Sequence, residues 1–276
     1  MAQRIITLTT DFGSADTYVG VMKGVIAAIN PDALLVDLTH AVYPQNILHG
    51  AFLLGSAYKF FQPNAIHLVV VDPGVGSSRR PILLDTPKGR FIGPDNGVLT
   101  YVLKDASMQA SSIEESEQCL LEGYRAYHLT NSDYWLHPLS STFHGRDVFA
   151  SVAGHISLGV PPLELGEEIL SLTCLPTINL EWEYDRLVGQ VVHVDRFGNL
   201  ITDIQGECLD TRHQIMVEIK GRYICGLNSY YSQASGLMAI IGSYDTLEIA
   251  MRDGSAEREL GARINDSVVV RRSFVG

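Results

Sequence analysis

The first 160 residues alternate between short apolar runs and stretches whose apolar positions recur at helical spacing. Arg4 to Thr10 is short and β-branched, which predicts a buried strand. Asp16 to Ile29 carries Val19, Met22, Val25, Ile26 and Ile29 on one face and ends at Asn30-Pro31, a helix stop. Leu34 to Leu38 predicts a second strand, Ile47 to Phe61 a second helix, and Ile66 to Val71 a third strand. This rhythm is that of a parallel sheet covered by helices. Strands are further predicted at Ile82 to Asp85 and Arg90 to Gly93, and helices at Gly97 to Leu103 and Phe149 to Leu158. Residues 104 to 140 are less regular. They hold the acidic stretch Glu114-Glu115-Ser116-Glu117, which reads as solvated surface.

The pattern changes near Leu170 to Tyr184, where Pro176 interrupts a segment with no period. Beyond it come short alternating segments: Leu187 to Val194, Gln214 to Ile219, Tyr223 to Leu227, Leu237 to Ile241, Thr246 to Met251 and Ser267 to Arg271. Turn sequences such as Arg196-Phe197-Gly198-Asn199 and Arg252-Asp253-Gly254 separate them, the pattern of a small antiparallel barrel or sandwich. The predicted organisation is an α/β domain with a central, mostly parallel sheet over residues 1–170, a linker over 171–186, and a smaller all-β, barrel-like domain over 187–276.

Composition narrows the function classes. A chain of 276 residues with 46% hydrophobic and 18% charged residues suits two well-buried domains, with apolar surface to spare for an oligomer interface. The net charge of -11 argues against nucleic acid, whose phosphates are neutralised by Lys and Arg. Cys119, Cys174, Cys208 and Cys225 form no C-x-x-C pair, so a zinc ribbon or thioredoxin motif is not expected. No apolar run approaches the roughly 20 residues that span a bilayer, and residues 1–10 lack the pattern of a secretory leader. A cytoplasmic protein without membrane contact is expected.

In open α/β sheets, ligands bind outside the carboxyl ends of the strands. Asp11, in Thr9-Thr10-Asp11-Phe12-Gly13, closes the first strand. There it could hold the two hydroxyls of a ribose or a metal, or simply cap the following helix, as Ser14 or Asp16 also could. Asp72 closes the third strand in Val71-Asp72-Pro73-Gly74-Val75-Gly76-Ser77-Ser78-Arg79-Arg80. Its glycines let the backbone approach a ligand, and it lacks the Gly-Lys-Ser/Thr ending of a Walker A loop. The plainer reading is a tight turn with a surface salt bridge. His144, in Ser141-Thr142-Phe143-His144-Gly145-Arg146-Asp147, precedes a predicted helix, and the other eight histidines read as structural. Asp195 and Asn199 share the turn Val194-Asp195-Arg196-Phe197-Gly198-Asn199, and Gly242-Ser243-Tyr244 is similarly turn-like. Pro94-Asp95-Asn96-Gly97 reads as a helix-entry turn.

Taken in order, TTDFG, VDPGVGSSRR, GPDNGVL, TFHGRD and VDRFGNLITDI resemble the S-adenosylmethionine (SAM) hydroxide adenosyltransferase family, relatives of the SAM-dependent fluorinase and chlorinase, over nearly the whole chain. The resemblance implies an α/β domain followed by a barrel-like domain. It implies a homotrimer, with SAM between the N-terminal domain of one subunit and the C-terminal domain of the next. The implied reaction converts SAM and water to adenosine and L-methionine, with SAM as substrate and neither cofactor nor metal. It places the catalytic Asp-Arg-His set on Asp72, Arg79 and His144, and the ribose-binding acid on Asp11. The methionine part falls to Asp195, Asn199 and Ser243, with Tyr244 giving backbone contacts to the adenine.

The chemistry is coherent. Methionine leaves a sulfonium as a neutral thioether, and water must attack C5′ in line with sulfur, where positioning lowers the barrier. Asp72 and His144 would orient the water and Arg79 would stabilise its growing negative charge; the residues leave open which group takes the proton. Three rivals stand beside this reading. A halogenase is disfavoured by Asp72, which repels a halide, and by the short span from Arg80 to Gly93, which leaves no room for the insertion that the resemblance assigns to halogenases. A non-catalytic SAM or nucleoside binder would not need Asp72, Arg79 and His144 together. A metal-dependent phosphohydrolase built on Asp11, Asp72 and His144 lacks further ligands for a two-metal cluster.

Overall fold

The computed structural model describes residues 4–107, 117–120, 122–176, 180, 182–209 and 214–273. Glu114, Glu115 and Ser116 of the acidic stretch, residues 177–179 and 181 of the linker, and the side chains of Cys119 and His213 lie outside them. The chain divides into two compact units, Met1–Thr177 and Ile178–Gly276.

The first unit begins β1 (Ile5–Thr10), α1 (Tyr18–Ile29), β2 (Leu34–Thr39), α2 (Ile47–Ala57) and β3 (Ile66–Val70). It continues with β4 (Pro81–Thr86), β5 (Gly89–Pro94), α3 (Thr100–Ser107), β6 (Glu117–Cys119) and β7 (Arg125–His128). A π-helical stretch, Gly145–Ala150, runs into α4 (Ser151–Ser157), followed by α5 (Pro162–Leu165), β8 (Glu167–Ile169) and β9 (Ser171–Thr173). The main sheet has the order β2-β1-β3-β5-β4-β7-β8. Strands β2, β1, β3 and β5 run parallel, and β4, β7 and β8 add an antiparallel half. The sheet is therefore mixed. Strands β6 and β9 form a separate two-stranded ribbon.

The alternation of a strand explains the two cores. On β3, Leu68 and Val70 pack with Met22 and Ile26 of α1 and with Val148 and Val152 of the π-helix and α4. The neighbouring Val69 and Val71 pack with Leu54 of α2 and Val102 of α3. Both faces are thus covered, which is why β1 and β3 show no alternation of apolar and exposed polar positions, and why Thr7, Thr9, Thr10 and His67 are buried with their apolar neighbours. Helix α3 starts at Thr100 rather than Gly97, because Gly97 turns with φ +95°. Helix α1 starts at Tyr18, after Thr17.

The second unit holds β10 (Arg186–Val194), β11 (Leu200–Gln205), β12 (Gln214–Ile219), β13 (Arg222–Cys225), β14 (Leu237–Ile241), β15 (Thr246–Met251), α6 (Ala256–Leu260) and β16 (Ser267–Ser273). Its sheet has the order β13-β12-β16-β10-β11-β15-β14, antiparallel throughout. The edge strands β13 and β14 also contact each other, so the sheet curls into a nearly closed barrel around Val191, Ile204, Val217 and Ile249.

Candidate active site

Strand register sets the site. Thr10 of β1 pairs with Val70 of β3, so Asp11 and the Val71–Arg80 loop leave the sheet at the same edge. Strand β4 starts at that edge too, since Pro81 lies opposite Pro94 at the end of β5. The loop therefore leaves and re-enters the sheet at one place. Asn96 fastens its start by donating from Nδ2 to the Val71 carbonyl at 2.9 Å.

Within the loop, Arg79 folds back on Asp72. Its Nε donates to Asp72 Oδ1 at 2.9 Å, and its Nη2 pairs with Oδ2. Both side chains are almost fully covered, at 9% and 5% exposure, so this is not the surface salt bridge that the plainer reading predicts. The guanidinium also lies over the Phe149 ring, 5.1 Å from its centre. Arg80 turns elsewhere. It pairs with Asp95 (Nε to Oδ2, 2.8 Å) and donates to the Ser171 carbonyl at 3.1 Å. Asp95 in turn accepts from the Thr173 amide at 2.8 Å. Arg80 thereby ties the main sheet to β9, and the Pro94–Gly97 turn supports this structural pair.

His144 comes to the same place from the π-helix. Its Nδ1 lies 3.1 Å from Arg79 Nη2. Arginine can only donate, so Nδ1 accepts and the ring is neutral with its proton on Nε2. Burial and then the charge of Arg79 hold the His144 pKa below the ordinary imidazole value, against the opposing pull of Asp72, Asp147 and the Ser140 backbone. Asp147 is fully buried and accepts from the Ser140 amide at 2.7 Å and from Arg146 Nε at 2.5 Å. It pins the segment that carries His144. Gly76 joins the two loops: it has φ +77°, and a Cβ there would sit 2.6 Å from the Ser141 carbonyl oxygen.

Asp11 does not cap α1, whose N-cap is Thr17. One of its oxygens accepts from the Gln45 amide at 2.8 Å, and Gln45 itself sits at φ +63°. Beside it, Phe12, Tyr18 and Phe143 form a ring cluster with centroids 5.0–5.8 Å apart. Arg79 thus touches both Asp72 and His144, and Asp11 lies on the same sheet edge.

The remaining predicted residues meet in the second unit. Asp195, Asn199, Ser243 and Tyr244 line one cleft of about 910 Å³. Asp195 organises its turn, accepting at Oδ1 from the amides of Phe197 and Asn199 and at Oδ2 from Asn199 Nδ2 (2.8–2.9 Å). Two lining residues have no counterpart in the sequence reading. Glu248 is 4% exposed and accepts from the Tyr231 hydroxyl at 2.6 Å. Burial, then Asp195, push the Glu248 pKa up against the Tyr231 bond, while burial and Glu248 push the Tyr231 phenol up. The overlooked signal is a lone acid inside the apolar run Leu247-Glu248-Ile249-Ala250.

The described residues contain no group of three or more potential metal ligands. Both oxygens of Asp72 accept from the Arg79 guanidinium, which occupies the directions a metal ion would need. No helix among the described residues is long and apolar enough to cross a membrane.

Known proteins place this arrangement in a family. Residues 6–166 match the SAM hydroxide adenosyltransferase N-terminal domain, and residues 189–269 match the corresponding C-terminal domain. The chain is 34% identical to an (R)-S-adenosyl-L-methionine hydrolase of Methanocaldococcus jannaschii, over 96% of this chain and 95% of that one. A crystal structure of a conserved protein from Thermotoga maritima superposes with a TM-score of 0.85 at 32% identity, covering 97% of this chain and all of the other. A fluorinase of Actinopolyspora mzabensis is more distant, at 25% identity over 75% of this chain and 73% of its own. The protein belongs to the SAM hydroxide adenosyltransferase family.

Proposed function

We propose that this enzyme hydrolyses S-adenosyl-L-methionine to adenosine and L-methionine. The observation that carries the reading is that Arg79 bridges Asp72 and His144 at the strand edge that also presents Asp11. In the reaction a water oxygen bonds to C5′ of the ribose while the C5′–S bond breaks. The electron pair goes to sulfur and neutralises the sulfonium, so no acid is needed for the leaving group. The water gives up one proton, which Asp72 takes from the oxygen it orients and passes on to solvent. SAM is the substrate, and the scheme uses no cofactor.

Counting lone pairs divides the labour. Each carboxylate oxygen of Asp72 accepts one bond from Arg79 and keeps a further lone pair for the water. The single lone pair of His144 Nδ1 is already used by Arg79. Asp72 is therefore the acceptor that orients the water, and Arg79 is the cation next to the growing hydroxide. His144 keeps Arg79 in register. Asp11 suits the ribose hydroxyls, and the cleft of Asp195, Asn199, Ser243 and Tyr244 suits the remainder of the molecule. A cytoplasmic homotrimer that brings both parts to one SAM molecule completes this reading; light scattering of the purified chain measures the assembly, and a monomer would remove it.

The direct test is incubation with SAM followed by chromatography. The wild type yields adenosine and methionine in equal amounts, and Asp72→Asn loses about 100-fold or more of that rate. Equal turnover by both proteins would sink the assignment. A halide transfer remains the alternative to score: 5′-chloro- or 5′-fluoro-5′-deoxyadenosine forming in halide buffer would replace hydrolysis with halogenation.

A further inference from the structure

Asp11 sits at the apex of a short turn, and one histidine fastens that turn on both sides. Before Asp11, the fully buried Thr10 closes the turn by accepting from the Phe12 amide at Oγ1, 3.3 Å away. The same hydroxyl lies 2.9 Å from His40 Nδ1. After Asp11, the Gly13 amide donates to the His40 carbonyl at 2.7 Å. The His40 ring is itself held. It is mostly covered, and its Nε2 lies 3.0 Å from Asp37 Oδ1, a charge contact off the line of a hydrogen bond. Asp37 Oδ2 accepts from Lys23 Nζ, on α1, at 2.6 Å.

The direction of each bond follows from the groups present. The Phe12 amide can only donate, and the Asp37 carboxylate can only accept. The carboxylate favours a proton on His40 Nε2, which leaves Nδ1 to accept the Thr10 proton. The Thr10 hydroxyl is thereby locked with a lone pair towards Phe12. Without His40 that hydroxyl is free to bond a backbone carbonyl instead, and the turn loses its closure. His67 makes the same kind of bond to Thr7, but in the middle of β1, where no turn depends on it.

We propose that His40 is a positioning residue for ribose binding: through Thr10 it holds the turn that aims the Asp11 carboxylate at the 2′- and 3′-hydroxyls of the substrate. This rests on the reading of Asp11 as the ribose acid of a SAM hydrolase. A carboxylate that accepts from two neighbouring hydroxyls at once must be held within about 0.5 Å. One Asp11 oxygen is already bound by the Gln45 amide, so the side chain cannot swivel to follow a displaced turn. His40 acts from behind the turn, and Lys23 and Asp37 tie its ring to α1 and β2.

Calorimetry on the full chain with adenosine and 2′,3′-dideoxyadenosine isolates the ribose hydroxyls. The wild type should bind adenosine about tenfold or more tightly than the dideoxy probe, as expected for charge-assisted bonds to Asp11. Thr10→Val keeps the shape and removes the hydroxyl. It and His40→Ala should each cut that preference about fivefold or more and leave binding of the dideoxy probe unchanged. His40→Asn puts an amide oxygen near the Nδ1 position and should restore most of the preference. In an Asp11→Ala background, Thr10→Val should change the preference no further, because both act on one contact. A wild-type preference kept by both Thr10→Val and His40→Ala, even with a lower thermal midpoint, would make His40 merely structural and overturn the proposal. Equal weakening of both probes would mean general damage to the site and overturn it too. A wild type without the preference, or an Asp11→Ala protein that keeps it, would instead overturn Asp11 as the ribose acid, and the positioning role with it.

Discussion

Arg79 Nη2 lies 3.1 Å from His144 Nδ1, and since arginine has no lone pair to offer, the histidine nitrogen must be the acceptor. The contact exists only while the imidazole is neutral. Burial and Arg79 both favour that form and hold the His144 pKa below 6.5. The sign follows directly. Above its depressed pKa the ring is neutral and Arg79 is in place; as the pH falls through that pKa, the ring charges and repels the guanidinium. The kcat of hydrolysis should therefore fall on an acid limb whose midpoint lies below pH 6.5. His144→Asn keeps an acceptor but cannot titrate there, so it should retain part of the activity and lose this limb. A wild-type kcat that stays flat down to pH 4 contradicts the role.

The two adjacent arginines should separate cleanly. Arg79→Lys keeps the charge but loses the two-pronged grip on Asp72 and the contact with His144. It should lower kcat about 100-fold or more. Arg80→Ala leaves Asp95 buried without its cation, at a cost of about 3 kcal/mol. Its thermal midpoint should drop, while turnover per folded molecule stays near wild type. Thermal melts beside rate measurements on both variants decide it; an inactive but fully stable Arg80→Ala would reverse the assignment.

Gly76 should resist even the smallest side chain. At φ +77° and 2.6 Å from the Ser141 carbonyl, an added Cβ must push the two catalytic loops apart. Gly76→Ala should cost about 1–3 kcal/mol of stability and reduce kcat, because the Asp72–Arg79 pair and His144 sit on opposite sides of that contact. Wild-type values for both in denaturant titration and turnover would show that the contact does not set the geometry.

A histidine with no catalytic part should govern acid stability. His67 is fully buried, stacks on Phe91 with centroids 4.9 Å apart, and bonds to Thr7 Oγ1 through Nδ1 at 2.9 Å. Burial lowers its pKa to about 4. Between that value and the unfolded 6.5, the unfolded chain binds a proton that the folded chain refuses, so stability rises with pH there. The contribution is complete above pH 6.5 and is lost on acidification towards pH 4, amounting to roughly 3 kcal/mol. His67→Phe should flatten the stability profile across this window in denaturant titrations at stepped pH. An unchanged slope would assign the acid sensitivity elsewhere.

The legible parts of the fold share a physical cause. Strands β1 and β3 are buried on both faces and read as short, largely β-branched and aliphatic runs, and α1 shows a clean helical period. Strands β7, β8 and β9 span only three or four residues, too short for alternation to register. Strand β11 (Leu200–Gln205) follows directly on the Asp195–Asn199 turn, whose chemistry dominates the pattern there. At the site, Asp72 and His144 stand out as polar groups at element ends, but nothing local separates Arg79 from Arg80. Only the fold does, by turning one onto Asp72 and the other onto Asp95. Tyr231 and Glu248 are far apart in sequence and meet only through the strand pairing of the second unit.

The central claim is that water attacks C5′ of SAM. The most direct measurement is turnover in water enriched in oxygen-18, with mass spectrometry of both products. The account predicts one heavy oxygen in the 5′-hydroxyl of adenosine and none in methionine. Adenosine free of the label, or a 5′-halogenated nucleoside in its place, would contradict it.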